Sequence, residues 1–390
     1  MKIFDTLTDE QRAAVVADNA SVAAGPGTGK TQLLAARVAY LIASGEDPRG
    51  ILCLTFTRAA AANLRERIRR ETGQSVDVFT FHGFAAKHVL KDGERVATEL
   101  ESDAAIDSLH KGPTARKTVE ASHGSRKIAR RHEVERAILQ FESAAYANTP
   151  EIRLILSRLS ESNLVPTWAL FDRFRDIPAY RHVLVDESQD CTFTERHIVR
   201  MTKGNIFDVG DPRQSIFGFC GAENECLTVN VVPLTRSFRF GLAIASACNL
   251  VAAEFGGDPI EGCDRDSTVT SEMPDRTGKT TAYLARTHHD CAIIAASMGD
   301  AAVHVRRDPL DAFSHESDRI GSAFAAGKTV VSTVHGFKGH EADIVAVDES
   351  VFAATEDDRA TVEDWRVLYV AMSRARDVLV LPPERIHAFL

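Results

Sequence analysis

The 390-residue sequence has no apolar run approaching the ~18 residues of a membrane span, and Met1-Lys2-Ile3-Phe4-Asp5 does not open a signal peptide. Both absences argue against a membrane partner and for a cytoplasmic location. Cysteine is sparse: Cys53, Cys191, Cys220, Cys226, Cys248, Cys263 and Cys291 are odd in number, scattered, and never in C-x-x-C spacing. That pattern argues against a disulfide framework or a cysteine metal site and fits a reducing compartment. Excess positive charge is also missing, the formal net charge being −9. Any nucleic-acid binding must therefore use a local basic track and not the overall field. No internal repeat or low-complexity tract is present. The 44% hydrophobic and 26% charged composition is ordinary for a globular chain, and the length suggests roughly two to three domains.

Short β-branched runs alternate with helix-length segments. The strand candidates are Ile51–Phe56, Val76–Phe81, His182–Asp186 and Asn205–Val209, then Val231–Leu234, Thr281–Leu284, Val330–Thr333, Ile344–Val347 and Val378–Leu381. Helical patterns such as Lys30–Ile42, Arg58–Arg70, Thr194–Thr202, Gly241–Phe255 and Val362–Ala375 lie between them. This alternation predicts an α/β fold with parallel sheets wound in βαβ fashion. From about Leu90 to Tyr180 it is interrupted by a mostly helical stretch, within which Lys111–Arg136 is rich in basic residues. The expected organisation is one lobe from residues 1–89 and 178–230, a helical insertion over 90–177, and a second lobe over 231–390.

Ala24-Gly25-Pro26-Gly27-Thr28-Gly29-Lys30-Thr31 fits a phosphate loop, with Ala24 at the first glycine position. Its glycines let backbone N–H groups turn toward phosphate oxygens, and the following helix offers its positive N-terminus. Lys30 would reach the β- and γ-phosphates and Thr31 would hold Mg²⁺. The apolar strand His182–Asp186 ends in Asp186-Glu187, at the edge where open α/β sheets bind ligands. Asp186 can hold the magnesium and Glu187 can orient or deprotonate a water. Alone, either feature could be a glycine turn or a solvated acidic turn; together they point to nucleoside triphosphate hydrolysis.

With these two in place, the chain resembles a superfamily 1 DNA helicase of the UvrD/Rep type, and its motifs run in order from end to end. Leu7-Thr8-Asp9-Glu10-Gln11 resembles the adenine-reading Q motif. Ile51–Arg58 resembles motif Ia, and Thr80-Phe81-His82-Gly83 the next DNA-contacting element. Asp186–Asp190 is the DExQD form of motif II. Val209-Gly210-Asp211-Pro212-Arg213-Gln214-Ser215-Ile216-Phe217-Gly218-Phe219-Cys220 resembles motif III. Leu234–Arg239, Thr333–Glu341 and Tyr369–Arg376 resemble motifs IV, V and VI.

The resemblance implies two RecA-like parallel-sheet lobes of the P-loop NTPase type with a helical insertion in the first, and ATP with Mg²⁺ bound between them. Gln11 would bond the adenine edge, Phe238 would stack on it in place of the usual Tyr, and Glu341 would contact the ribose. Gln214 would sense the γ-phosphate, while Arg239 and Arg374 would serve as built-in arginine fingers. Single-stranded DNA and duplex/single-strand junctions are the implied partners, with Phe56, Phe81, Phe217 and Phe219 stacking on bases. Thr57, Arg58, His82, His335 and Lys338 would contact the DNA backbone. For any one phenylalanine the alternative is core packing, and for Lys111–Arg136 it is a solvated helix face.

The implied activity is ATP-driven movement on single-stranded DNA, 3′→5′ by analogy, with unwinding. A translocase without unwinding and a nucleotide-switched binding module are the rivals. The sequence departs from the family at Gln32 (commonly Arg), at Phe219-Cys220 (frequently Trp-Arg) and at Arg58-Ala59 (usually Asn-Lys). The interval from Arg239 to Thr333 is also too short for the large accessory domain that full-length members carry there.

Overall fold

A computed structural model describes the chain apart from residues 1, 99–100, 102–156, 158, 166–169, 171–172, 174–176, 306–316, 357–359 and 390. Most of the expected helical insertion, including the basic stretch Lys111–Arg136, therefore lies outside the described residues. Among them, no helix is long and apolar enough to cross a membrane.

The first lobe is built on six parallel strands: β1 (Ala20–Ala24), β2 (Ile51–Thr55), β3 (Asp77–Thr80), β6 (His182–Asp186), β7 (Asn205–Gly210) and β8 (Asn230–Leu234), in the order β3-β2-β6-β7-β1-β8. Two short strands, β4 (Arg95–Val96) and β5 (Leu164–Val165), pair with each other beside it. Burial explains why the strands read as unbroken apolar runs. Ile51 and Cys53 of β2 pack into one core with Leu33, Leu34 and Leu64, whereas Leu52 and Leu54 face a second core with Phe84 and Val199. Both faces of the sheet are covered, so neither can be polar.

The second lobe repeats the plan with β11 (Thr268–Thr270), β12 (Thr281–Ala285), β13 (Ala302–His304), β14 (Thr329–Thr333), β15 (Ala342–Val347) and β16 (Ala375–Val380), in the order β11-β16-β15-β12-β14-β13. A small parallel pair, β9 (Arg236–Gly241) with β10 (Glu261–Cys263), sits between the two sheets in sequence. One expected boundary moves. The sequence places residues 231–234 in the second lobe, but β8 pairs with β1 along Ala20–Ala24 and completes the first sheet. A short strand carries no mark of which sheet it joins.

Adjacency of β6, β7 and β1 has a direct consequence for chemistry. Their carboxyl ends deliver Asp186, Asp211 and the glycine loop side by side, at the edge where parallel sheets bind ligands. The lobes also interlock. Ile216, from the loop after β7, is fully buried in the core of the second lobe. Its carbonyl accepts a hydrogen bond from His335 Nε2 at 3.1 Å, which fixes the proton on that nitrogen. Phe217 and Phe219 pack edge-on to the His335 ring with centroids 5.7 and 5.5 Å away.

Two stacking candidates part company here. Phe81 is 1% exposed, opens the helix Phe81–Val89 and belongs to the first-lobe core, so it is not a base platform. Phe219 is 58% exposed. Phe81→Ala should cost about 3–5 kcal/mol of stability in urea unfolding, and Phe219→Ala no more than about 0.5 kcal/mol. Comparable losses in the two variants would contradict this assignment.

Burial, with Arg286 and Lys338 nearby, pushes the His335 imidazole down to about 4. The unfolded chain takes up the same proton near the ordinary value of about 6.5. Between those two values the unfolded state binds more protons, so native stability falls as pH is lowered through the window and is fully present above it. Urea midpoints measured from pH 6.5 to 4 should decline more steeply in the wild type than in His335→Gln, groups common to both cancelling in the comparison. Equal slopes would rule His335 out as the cause.

Candidate active site between the lobes

After β1 the backbone turns through Gly27 (φ 75°) and Gly29 (φ 86°), conformations that residues with a Cβ rarely adopt. Gly29 caps the helix Lys30–Ala43 without a side-chain acceptor, which leaves the first N–H groups of the helix directed at the loop. Thr28 closes the turn through Oγ1 to the Gly25 carbonyl at 2.9 Å. Its own carbonyl accepts from Gln11 Nε2 at 2.9 Å, while Gln11 Oε1 accepts from the Thr8 N–H at 3.0 Å. Gln11, expected at the adenine edge, is thus buried and braces the phosphate loop. Ala24, Gly25, Pro26 and Thr28 are buried, while Thr31 and Gln32 are half-buried in the first turn of the helix. Lys30 Nζ lies 3.4 Å from the Ala24 carbonyl and 4.0 Å from Glu187 Oε1.

β6 carries Asp186, and the chain then places Glu187 at φ 52°, a left-handed conformation costly for a glutamate. Burial and the neighbouring Glu187 charge push the Asp186 carboxyl up to about 7. Burial also opposes ionisation of Glu187, yet Lys30 and Lys338 together hold it down to about 2. Gln189 steadies Glu187 through Nε2 to Oε2 at 2.7 Å and accepts from the Asp211 N–H at 2.8 Å. Among the described residues no group of three or more His, Cys, Asp and Glu side chains could hold a metal. The buried, cation-seeking Asp186 with the Thr31 hydroxyl nonetheless fits Mg²⁺, which takes few protein oxygens and completes its shell with phosphate and water.

The loop after β7 supplies the next layer. Asp211 is fully buried and accepts from Gln214 Nε2 at 2.6 Å and Arg213 Nε at 2.8 Å. Gln214 Oε1 in turn accepts from Arg374 Nη2, so the two lobes meet at this amide. Arg374 is 2% exposed and, among the described residues, donates otherwise to the Val370 carbonyl and Ser373 Oγ, and burial lowers its guanidinium to about 9. Arg239 bonds Glu341 Oε2 and the Ser373 carbonyl, both at 2.7 Å. Phe238 donates its N–H to the Gly27 carbonyl at 2.8 Å and leaves its ring exposed beside the loop.

The expected DNA contacts divide. Lys338 is turned inward: its side chain is 6% exposed and its ammonium binds both Asp190 oxygens at 2.7 and 2.6 Å and the Gln214 carbonyl. His335 is buried and uncharged at neutral pH, so it is no cationic phosphate donor. Thr57 spends its hydroxyl on the Ala60 N–H as the cap of the helix Arg58–Thr72. Phe217 is partly buried against the second-lobe core. Arg58 is exposed, Phe56 and His82 are half-buried at the ends of β2 and β3, and Phe219 presents its ring to solvent. Asp211, Arg213, Gln189 and Asp190, all buried in the site, are not singled out by the sequence, since polar and charged residues in turns carry no outward sign of burial.

A family model for the UvrD/REP helicase N-terminal domain matches residues 7–171 and 175–230, and one for the UvrD-like helicase C-terminal domain matches residues 328–381. A probable DNA helicase of Mycoplasma pneumoniae is 27% identical over an alignment 459 positions long with its gaps, which spans 99% of this chain and 85% of that one. The ATP-dependent DNA helicase UvrD1 of Mycobacterium leprae is 27% identical over 77% of this chain, and DNA helicase II of Salmonella typhimurium 28% over 64%. This chain spans 45% and 40% of the length of those two. Among solved structures, an arterivirus nonstructural protein 10 helicase with DNA aligns at a TM-score of 0.43 and 12% identity, over 97% of this chain and 64% of that one. The family models cover more than half of the residues, in the order of the motifs: the chain belongs to the UvrD/Rep helicase family.

Proposed function

We propose that the protein is an ATP-dependent DNA motor that hydrolyses ATP in the cleft between its lobes and uses the cycle to move on single-stranded DNA. One observation carries the reading. Arg374 is a buried guanidinium with no ion-paired carboxylate among the described residues, and it acts on Glu187 together with Lys30, whose ammonium lies 4.0 Å from Glu187 Oε1. Two under-compensated cations converging on one carboxylate beside a glycine loop and a helix N-terminus form a receptor for a polyphosphate.

In this reading the loop N–H groups and Lys30 bind the phosphates, and Phe238 supplies a stacking face for the base. Thr31 and Asp186 would hold Mg²⁺, which would supply charge neutralisation on the phosphates. Glu187, ionised and steadied by Gln189, takes the proton of the attacking water as the bond from Pγ to the ADP oxygen breaks. Arg239 and Arg374 stabilise charge in the transition state. Gln214 touches Arg374 and its neighbours Ile216 and Phe217 enter the second lobe, so hydrolysis is felt by the aromatic loop. Phe56, Arg58, His82 and Phe219 are the DNA contacts that remain on the surface.

Movement 3′→5′ and unwinding at junctions follow by family analogy. A translocase without autonomous unwinding is the second reading, and the compact second lobe favours it: between Arg239 and β14 the described chain holds the short strands β10 to β13 and the helices Leu242–Ala253, His288–Met298 and Ser317–Ala325, where relatives carry a large accessory domain. The wild type should show ATPase strongly stimulated by a single-stranded oligonucleotide, and Lys30→Ala should lose at least about a hundredfold in kcat. Absence of stimulation in the wild type would sink the motor reading. Strand displacement on 3′-tailed but not 5′-tailed duplexes identifies the helicase; ATPase without displacement identifies the translocase.

A further inference from the structure

Arg213 stands between Pro212 and Gln214 in a turn otherwise given to fixing the glutamine. Its side chain is buried, yet the guanidinium reaches three separate parts of the molecule. Nε donates to Asp211 Oδ1 at 2.8 Å. Nη1 donates to the carbonyl of Asp258 at 2.7 Å, on the segment that follows the second-lobe helix Leu242–Ala253. Nη2 lies against the phosphate loop, where a Cβ added to Gly25 would come within 2.8 Å of it. The planar fork sets its three nitrogens in fixed, separate directions, so it can donate to Asp211 and Asp258 while Nη2 faces the loop; a lysine's single nitrogen cannot stand in all three places.

Asp211 passes the constraint on. With Arg213 on Oδ1, its other oxygen is left for Gln214 Nε2 at 2.6 Å, which turns Gln214 Oε1 toward Arg374. No part of this chain is exposed enough for water to substitute: Asp211 is 0%, Gln214 1% and Arg213 8% exposed. We propose that Arg213 is a positioning residue which, by spanning the phosphate loop and the second lobe, makes the orientation of Gln214 depend on closure of the cleft. When the lobes separate, the Asp258 carbonyl leaves the fork and the Asp211–Gln214 arrangement loses its outer support. The inference rests on the ATP-hydrolase reading of the site and adds to it a residue that touches neither nucleotide nor DNA.

The test compares steady-state ATPase of the full chain with a thymidine oligonucleotide for the wild type, Arg213→Met, Arg213→Lys, Gln214→Ala and the double variant Arg213→Met/Gln214→Ala. Each Arg213 variant should lose about tenfold in kcat while KM for ATP stays within about twofold, and the double variant should be no slower than Gln214→Ala within about twofold. Effects that multiply in the double variant, or a raised KM with kcat intact, would overturn the proposal. Should Arg213→Met lack a cooperative urea transition, Arg213→Lys, which keeps the charge opposite Asp211, decides the matter alone. Full activity in both Arg213 variants beside an inactive Lys30→Ala overturns the positioning role and leaves the hydrolase reading standing; an inactive wild type overturns both.

Discussion

Lys338 carries its ammonium out of the second lobe and buries it against both oxygens of Asp190 and the carbonyl of Gln214, with the Phe217 ring centroid 5.1 Å away. Desolvating such an ion costs several kcal/mol, and the cost is offset only because every donor direction finds an acceptor. Burial pushes the Asp190 carboxyl up to about 6 even so, with the Lys338 charge holding it from going further. Removing either partner would strand the other in a dry interface. Further contacts between the lobes lie around this pair, among them His335 on the Ile216 carbonyl, Arg374 on Gln214, Arg213 on the Asp258 carbonyl and Phe238 on the Gly27 carbonyl.

The same site reconciles an acidic protein with an anionic ligand. Most of its cations are matched to nearby acceptors, Arg213 to Asp211, Arg239 to Glu341 and Lys338 to Asp190. Lys30 and Arg374 are the ones left under-matched among the described residues. A net charge of −9 therefore says little about what this cleft attracts, because solvent and salt screen the distant surface charges while unmatched charges in a low-dielectric cleft act at nearly full strength on what enters it. Local imbalance, not the total, selects the ligand.

How much of this could be read in the chain alone depends on what kind of signal each feature leaves. The strands Ile51–Thr55 and His182–Asp186 declare themselves because a parallel sheet covered on both faces leaves their central residues, 51–54 and 183–185, wholly apolar and puts polar residues only at the ends. The phosphate loop declares itself because only glycine suits φ 75° at residue 27 and 86° at residue 29. Motif membership was weaker guidance to burial. Phe81 and Lys338 stand in stretches that resemble DNA-contacting motifs, yet one lies in a core and the other in an ion pair. A motif fixes order along the chain and leaves the direction of each side chain to the packing around it. The assignment of Gln11 failed to anticipate its brace on Thr28 for the same reason, since the carbonyl it holds lies 17 residues away in sequence.

Gly27 links these themes. A Cβ there would fall 2.4 Å from Ser237 Oγ and 2.5 Å from Arg239 Cβ, both on the second-lobe side of the cleft. The smallest side chain at this position would act as a shim, wedging the lobes apart by roughly the thickness of a methyl group before any phosphate arrived. The glycine is thus required twice over, once for its backbone angle and once for its emptiness. Tolerance for volume in this phosphate loop is set by the opposite lobe as much as by the nucleotide.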